Sequence, residues 1–330
     1  MDIRLRPEAV LISNSKTFSH HDQYKVICMT MIKTHRLLFF VTILWVCSFM
    51  TQGECSSIEV TELYRNLYKM RAGINNWIVM VSPKGVLLCD NGPERLSEAI
   101  KSELHKLGND NIRFIINTHW HHDHCGGNLV FGKEAIIIAH ESVRQTLSEE
   151  QEVSLFGESF QAFPKDALPE LTFSSSFHID FDGEEIAMIH MPNGHTKGDV
   201  IVYFKNANIL HIGDLYIAGH FPPIDYDHGG DVEQFADNLL KIIEKMPKDV
   251  RIISGHLEDG DLPALKAYHK MVISTIGIVR MAIEDGKSLE DMKRAGILDE
   301  WDAWGKHLTC EMWIETIFHC LKQKKEQHVS

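Results

Sequence analysis

The sequence NTHWHHDHCGGN, at residues 117–128, places four histidines and one aspartate within six residues. A short apolar run, RFIIN at residues 113–117, leads directly into it and predicts a buried β-strand that ends at the cluster. Imidazole nitrogens and carboxylate oxygens are ligands that zinc accepts at about 2.0 to 2.2 Å. The stretch therefore predicts a metal site at the end of a strand.

The spacing within the cluster divides it into two groups of ligands. In an extended loop alternate residues project to the same side, so His119 and His121 can bind one ion. Asp123 and His124 come after the chain has turned and can face a second ion beside the first. His122 points away from its neighbours, and we interpret it as a residue on the outer side of the loop without a ligand role.

Three later stretches place a histidine or an aspartate at or just after the end of an apolar strand. MPNGHTKGD places His195 on a glycine turn, LHIGDLY places Asp214 just after a strand, and ISGHLED does the same for His256. Open sheets gather their sites at strand ends, so we expect these side chains to join the histidine cluster. Five histidines and two aspartates suffice for two ions with positions left for water and substrate.

HWHHDH resembles the HxHxDH signature of the metallo-β-lactamase superfamily, and the GHT, GD and GH elements follow in that family's order. The similarity runs from about residue 60 to residue 262, and GKSLEDM and DAWG in the tail are similar to bacterial members. The resemblance implies a four-layer αββα sandwich with a helical C-terminal extension. It divides the chain into a leader at 1–55, a catalytic domain at 56–262 and a helical extension at 263–330.

The resemblance also implies a role for each candidate ligand. The first zinc would be held by His119, His121 and His195, the second by Asp123, His124 and His256, with Asp214 bridging the two. A bridging aspartate is typical of the glyoxalase-II-like and lactonase-like branches, whereas class B β-lactamases usually have cysteine or serine there, which argues against β-lactam hydrolysis as the main activity. Asp90, in LLCDNG, matches the family aspartate that supports the metal loop.

Two zinc ions in one cleft predict a hydrolase. A hydroxide that bridges the ions would attack the carbonyl carbon of an ester, lactone, amide (β-lactam-like) or thioester in a small molecule. Asp123 would orient this hydroxide and pass on its proton, which makes it the predicted catalytic residue. Tyr216, His220 and Tyr226 lie in the glycine- and proline-rich loop after Asp214 and are candidate substrate contacts.

Two other functions fit the same ligand types. Imidazole and carboxylate also suit iron, so a mononuclear iron persulfide dioxygenase of the same fold is one alternative. The other is a non-catalytic, metal-stabilised binding protein. Asp123 and Asp214 argue against the second, because a structural site would be closed and would not need both carboxylates.

The charge composition limits the class of partner that the protein can bind. The 330 residues contain 33 Lys and Arg against 46 Asp and Glu, a formal charge of −13. Lys and Arg residues do not cluster in the body of the sequence, so we expect a small-molecule substrate and no nucleic-acid partner.

The N-terminus contains a hydrophobic run. Lys33 and Arg36 precede fourteen uncharged residues at 37–50, and small residues follow before Ser56, as in a cleaved secretory signal peptide. The run is short for a membrane span of about 20 residues. A polar leader at 1–30 is unusual for a signal peptide, so either translation begins at Met31 or the run is an internal anchor. We expect a secreted, periplasmic or lumenal protein, with an anchored protein as the alternative.

The remaining pattern predicts alternating strands and helices. Strands begin at Asn76, residues 150–177 are predicted to form a loop, and Asp231 is predicted to cap a helix. From Leu262 onward the sequence predicts helices, with breaks near Gly286 and Gly305.

Overall fold

The computed structural model describes residues 57–153 and 157–327. The hydrophobic run at 37–50 lies outside these residues, so the signal peptide and the anchor stay predictions. Within the described part of the chain, no helix combines the length and apolarity that crossing a bilayer requires.

The described residues contain β-strands that fall into two large sheets and one small hairpin. Their bounds are β1 (Glu59–Tyr64), β2 (Leu67–Ala72), β3 (Asn75–Ser82), β4 (Gly85–Cys89), β5 (Ile112–Ile116), β6 (Ile136–His140), β7 (Gln151–Val153), β8 (Glu158–Phe160), β9 (Leu171–Phe173), β10 (Ser176–Phe181), β11 (Glu184–His190), β12 (Val200–Phe204), β13 (Ile209–His211) and β14 (Arg251–Ile253).

Helices follow several of the strands and make up the C-terminal end of the described chain. Their bounds are α1 (Ser97–Lys106), α2 (His122–Cys125), α3 (Asn128–Phe131), α4 (Glu141–Leu147), α5 (Val232–Lys245), α6 (Leu262–Glu284), α7 (Leu289–Arg294) and α8 (Cys310–Gln327).

Strand direction decides where the sheets can place functional residues. The first sheet has the order β1-β2-β3-β4-β5-β6-β9, with antiparallel pairs up to β4 and parallel pairs from β4 to β9. The second has the order β10-β11-β12-β13-β14, and its last pair is parallel. It follows that the carboxyl ends of β4, β5 and β6 lie side by side in the first sheet. The carboxyl ends of β11, β13 and β14 likewise lie on the same side of the second sheet.

Both faces of the central strands are buried, which explains their continuous apolar sequences. In β3, Trp77 and Val79 face the cluster that contains α1, whereas Ile78 and Met80 face the second sheet. In the second sheet, Ile201 belongs to the cluster formed with α5 and α6. The layers are thus helix, sheet, sheet and helix, which confirms the predicted αββα sandwich.

The C-terminal helices share their core with the second sheet. Trp313 of α8 is buried, and its indole nitrogen donates to Oγ1 of Thr275 in α6 at 3.0 Å. Both helices pack in the same hydrophobic cluster as α5 and β13. The helical extension is confirmed, with breaks after α6 and around residues 295–309. Asp231 accepts from the backbone of Glu233 and caps α5, as predicted.

Two parts of the fold differ from the sequence-based prediction. Strands β1 and β2 precede Asn76, where the prediction began, and β2 pairs with β3 along its whole length. The segment predicted as a loop, 150–177, contains β7, β8 and β9, and β9 forms a parallel edge of the first sheet. Each of these three strands has three residues, too few for an alternating pattern to be recognised.

Candidate metal centre

Strand ends from both sheets meet at the histidine cluster. His119 lies three residues after β5, His195 five after β11, Asp214 three after β13 and His256 three after β14. Asp90 directly follows β4. Because these strands run in parallel within each sheet, their carboxyl ends bring residues that are distant in sequence to one edge.

Backbone hydrogen bonds join the two sheets beside this cluster. The amide of Val200 donates to the carbonyl of Thr118 at 2.7 Å, and the amide of Asn76 donates to the carbonyl of Gly255 at 2.7 Å. The loops that carry His119 and His256 are therefore each hydrogen-bonded to a strand of the other sheet.

All seven predicted ligands lie together. Within three groups the candidate ligand atoms fall within 4.8 Å of one another, and these groups are His119 with His121 and His195, His119 with His124 and Asp214, and Asp123 with His124 and His256. Asp214 is buried between the histidines, with one carboxylate oxygen 3.2 Å from Nε2 of His124 and the other 3.1 Å from Nε2 of His256.

His119 presents a free lone pair to the interior. The single hydroxyl proton of Thr118 is donated to Asp90 at 2.8 Å, so the hydroxyl oxygen can only accept from Nδ1 of His119, 3.0 Å away. Nε2 of His119 is then unprotonated, and it is buried with no hydrogen-bond partner. A buried, unpartnered acceptor is costly, and a metal ion would satisfy it.

His121 and His195 face each other through the ring nitrogens that their outer hydrogen bonds do not use. Nε2 of His121 donates to Asp225 at 2.9 Å, and Nδ1 of His195 donates to the carbonyl of Pro223. The remaining nitrogens, Nδ1 of His121 and Nε2 of His195, are 2.8 Å apart. Two ring nitrogens at this distance need a proton or a metal cation between them, and a cation shared with His119 would meet that need.

His124 and His256 form the other side of the site. Nδ1 of His124 donates to Asp90 at 2.9 Å, which leaves Nε2 of His124 facing Nε2 of His256 at 3.2 Å. Asp123 places a carboxylate oxygen 3.3 Å from Nε2 of His256. Imidazole nitrogens held by a carboxylate on their outer side are typical of metal-binding histidines.

Asp90 connects to both groups of candidate ligands, directly to His124 and through Thr118 to His119. Its buried carboxylate accepts from the amide and hydroxyl of Thr118, from His124 and from Nε2 of His211 at 3.2 Å. Its φ of +59° lies in the left-handed region, which non-glycine residues seldom adopt without a compensating interaction. Burial would raise its pKa, but the charge and hydrogen bonds of His124 and His211 outweigh burial and lower the pKa to about 2.

Charge separates the histidines into two classes. Burial lowers the pKa of His119, and burial together with the charge of His121 lowers that of His195 to about 4. For His124 and His256 burial is outweighed by the charge of Asp214, which raises both pKa values. The pKa of Asp214 is lowered in turn, because His256 and His124 outweigh its burial. The site thus concentrates carboxylates around two histidines whose protonated forms those carboxylates favour.

Three residues that support the candidate ligands, Asp225, Asp199 and Thr118, were not recognised in the sequence. Asp225 holds His121, and its carboxylate also accepts from Nδ1 of His228 at 2.9 Å. Asp199 accepts from the backbone amide of His195 at 2.7 Å and from the hydroxyl of Thr196 at 2.6 Å. Burial raises the pKa of Asp199 to about 8 although these hydrogen bonds lower it. Asp199 closes the GHTKGD stretch that carries His195, a signal that could have been read, whereas nothing local marks Thr118 or Asp225.

The structure does not bring all candidate substrate contacts to the cleft. His220 lines the pocket and stacks on His307 with ring centroids 4.8 Å apart. The ring of Tyr216 is buried in the hydrophobic core against Tyr268. Tyr226 packs on His319 of α8. Neither tyrosine is among the residues that line the pocket.

His122 also lies elsewhere than expected. A helical turn begins at this residue, so its side chain does not continue the alternation of the preceding extended loop. It stacks on Phe160 of β8 at a centroid distance of 3.9 Å and lines the pocket. Burial lowers its pKa to about 4, so the ring is neutral near pH 7.

A cavity of about 640 Å³ opens beside the ligands. His121, Asp123, Asp214 and His256 contribute to its wall, and most of the other lining residues are apolar. A volume of this size is in the range of sites that bind small molecules.

A family model described as the metallo-beta-lactamase superfamily matches residues 70–256, more than half of the chain. The matched stretch begins in β2, ends at His256 and contains every predicted ligand.

Curated relatives include several hydrolases. A hydroxyacylglutathione hydrolase of Synechococcus sp. (strain JA-3-3Ab) is 26% identical over 192 residues, which are 54% of this chain and 67% of that protein. A metallo-beta-lactamase of Chryseobacterium indologenes is 26% identical over 56% of this chain and 72% of its own. A probable metallo-hydrolase of Methanocaldococcus jannaschii is 29% identical, over 60% of this chain and 95% of that protein.

Among solved structures, the metallo-beta-lactamase from Pontibacter korlensis superimposes with a TM-score of 0.55 at 18% identity. The superposition covers 66% of this chain and 99% of that one. At this identity the likeness supports the fold alone.

Proposed function

The chain belongs to the metallo-beta-lactamase superfamily and is a metallo-hydrolase; we propose that it uses two zinc ions to hydrolyse an ester, lactone, amide or thioester bond of a small molecule. The observation that carries this proposal is the position of Asp214. Its two oxygens lie 3.2 and 3.1 Å from His124 and His256, and one lies 3.7 Å from His195. One carboxylate therefore reaches both groups of candidate ligands.

The donor set suits two ions of zinc. His119, His121 and His195 would hold one, Asp123, His124 and His256 the other, and Asp214 would be shared. Bound zinc would supply Lewis acidity toward a carbonyl oxygen and lower the pKa of water to near neutrality. The unpartnered Nε2 of His119 and the opposed nitrogens of His121 and His195 support the fit.

Asp123 is the residue best placed to move a proton. Its carboxylate lines the cavity, and 41% of its side chain is exposed, so it can meet both water and substrate. We assign it the tasks of orienting the attacking water, accepting its proton and delivering that proton to the leaving group. The outer hydrogen bonds of His121 and His124, to Asp225 and Asp90, hold both rings in place while this occurs.

A hydrolysis panel tests the proposal. Purified protein is assayed with nitrocefin, an acyl-homoserine lactone, S-lactoylglutathione and p-nitrophenyl esters, before and after removal of metal by a chelator. We expect cleavage of at least one carbonyl compound that is lost with the chelator and restored by zinc.

The matched variants are Asp123→Asn and Asp227→Asn. Asp123→Asn should stay folded and lose activity by orders of magnitude, whereas Asp227→Asn, at an exposed position in the loop after Asp214, should keep it. Wild-type turnover in Asp123→Asn would contradict the role of this residue. Sulfite production from glutathione persulfide with one bound iron would support the dioxygenase instead.

A further inference from the structure

The cavity has two apolar walls beyond the candidate ligands. One wall comes from the small β7–β8 hairpin, where Val153 and Phe160 line the cavity. The other comes from the start of α8 and the segment before it, where Leu308 and Met312 do the same. These residues lie 148 or more positions apart in sequence, so the fold assembles an apolar surface that no single motif marks.

Fixed charge is scarce in this cavity. Among its described lining residues, the charged side chains other than Asp123 and Asp214 are Arg95 and Glu158, one of each sign. Both residues are exposed. An acylglutathione carries two carboxylates and an ammonium group, and these walls offer it little compensation for the lost hydration.

Apolar side chains at the cavity remain in contact with water. Ile74 is 48% exposed and Met312 is 37% exposed, although both line the cavity. A ligand with an apolar chain or ring would remove this surface from water, which is the main source of affinity in a site of this kind.

We propose that the substrate carries an uncharged apolar chain or ring next to its scissile carbonyl, and that this group binds against Phe160 and Met312. This inference rests on the proposed hydrolase function and names its substrate class. Phe160 and Met312 are then specificity-determining residues. Phe160 stacks on the ring of His122, and this contact holds the Phe160 side of the cavity in place.

Chain-length kinetics test the inference. Zinc-loaded protein is assayed with p-nitrophenyl acetate, butyrate, hexanoate and octanoate. Each methylene that leaves water is worth up to about fourfold, so kcat/KM should rise at least about tenfold from acetate to octanoate. S-Lactoylglutathione should be a poorer substrate than the octanoate ester.

Met312→Lys places a charge in the wall, and Met281→Lys is its control. Met281 is 66% exposed on α6 and does not line the cavity. We expect Met312→Lys to lower the ratio of octanoate to acetate kcat/KM at least about fivefold, and Met281→Lys to keep the wild-type ratio. If circular dichroism shows Met312→Lys to be unfolded, Phe160→Ser takes its place.

Binding separates failure of this inference from failure of the hydrolase function. The uncharged fluorophore N-phenyl-1-naphthylamine should bind the wild-type protein, be displaced by 1-octanol, and bind more weakly to Met312→Lys. Zinc-dependent hydrolysis with a flat chain-length profile would overturn the inference and leave the hydrolase intact. If the protein hydrolyses none of these esters, fluorophore binding tests the inference. Equal binding of the fluorophore to wild type and to Met312→Lys would overturn it.

Discussion

Asp225 accepts a hydrogen bond of 2.9 Å from Nε2 of His121, across 104 residues of sequence. This contact fixes the ring so that Nδ1 of His121 faces the site. The same carboxylate accepts from His228, whose other ring nitrogen lies 2.9 Å from Gln151 of β7. The orientation of one candidate ligand is thus set by a loop and a hairpin that have no ligand of their own.

Asp225→Ala should weaken zinc binding without unfolding the protein. The loss of the carboxylate removes the hydrogen bond that orients His121, and such losses lower metal affinity about 10- to 100-fold. Competition with a chromophoric chelator measures the affinity. Asp227→Ala, two residues away at an exposed position, is the control, and an equal affinity of both variants would contradict the role of Asp225.

Asp90 should make the metal-free protein sensitive to acid. Its pKa of about 2 lies below the ordinary value near 4, so its stabilisation is complete above about pH 4 and is lost as the pH falls toward 2. The difference amounts to about 2 kcal/mol of unfolding free energy. Urea denaturation of wild type and Asp90→Asn at pH 7 and pH 3 measures it, and the stability gap between the proteins should narrow at pH 3. A gap that is constant with pH would contradict this assignment.

Zinc binding should release protons. In the metal-free protein Asp214 raises the pKa values of His124 and His256 and so favours their protonated forms, whose protons a metal ion must displace. Affinity should accordingly fall as the pH falls. Titration calorimetry in buffers of different ionisation enthalpy should show release of about one to two protons per chain. A heat independent of the buffer would mean that these rings are neutral.

Trp313→Ala should destabilise the whole fold. The indole is buried between α6 and α8 and donates to Thr275, so its removal leaves a cavity in the hydrophobic cluster that these helices share with α5 and β13. We expect a loss of about 3 to 5 kcal/mol in the free energy of unfolding, measured with urea. Met281→Ala, at a mostly exposed position of α6, should change it by less than about 0.5 kcal/mol.

The layers of the fold, and the meeting of the candidate ligands at one place, could be predicted from the sequence, because each signal is local. Continuous apolar runs such as IVMV and IIIAH predict strands buried on both faces. His195, Asp214 and His256 each follow a strand within five residues, so they meet once these strands run in the same direction.

The supporting contacts could not be predicted, since they join distant segments. Nothing in the loop around Asp225 indicates that it meets His121, and His122 meets Phe160 only because a three-residue strand places that ring beside it. The position of Tyr216 could not be predicted from its distance in sequence to Asp214. Tyr216 lies two residues after Asp214, but the chain turns through a short helical segment there, and the ring is directed into the core against Tyr268.

The central claim is a site for two zinc ions, and the metal content of the purified protein tests it most directly. Elemental analysis after dialysis against zinc should give two zinc per chain in the wild type and about one in His256→Ala, because that variant loses a ligand of only one group. Two zinc ions in the wild type, with one lost in the variant, would agree with the account. One metal ion per wild-type chain, or iron in place of zinc, would contradict it.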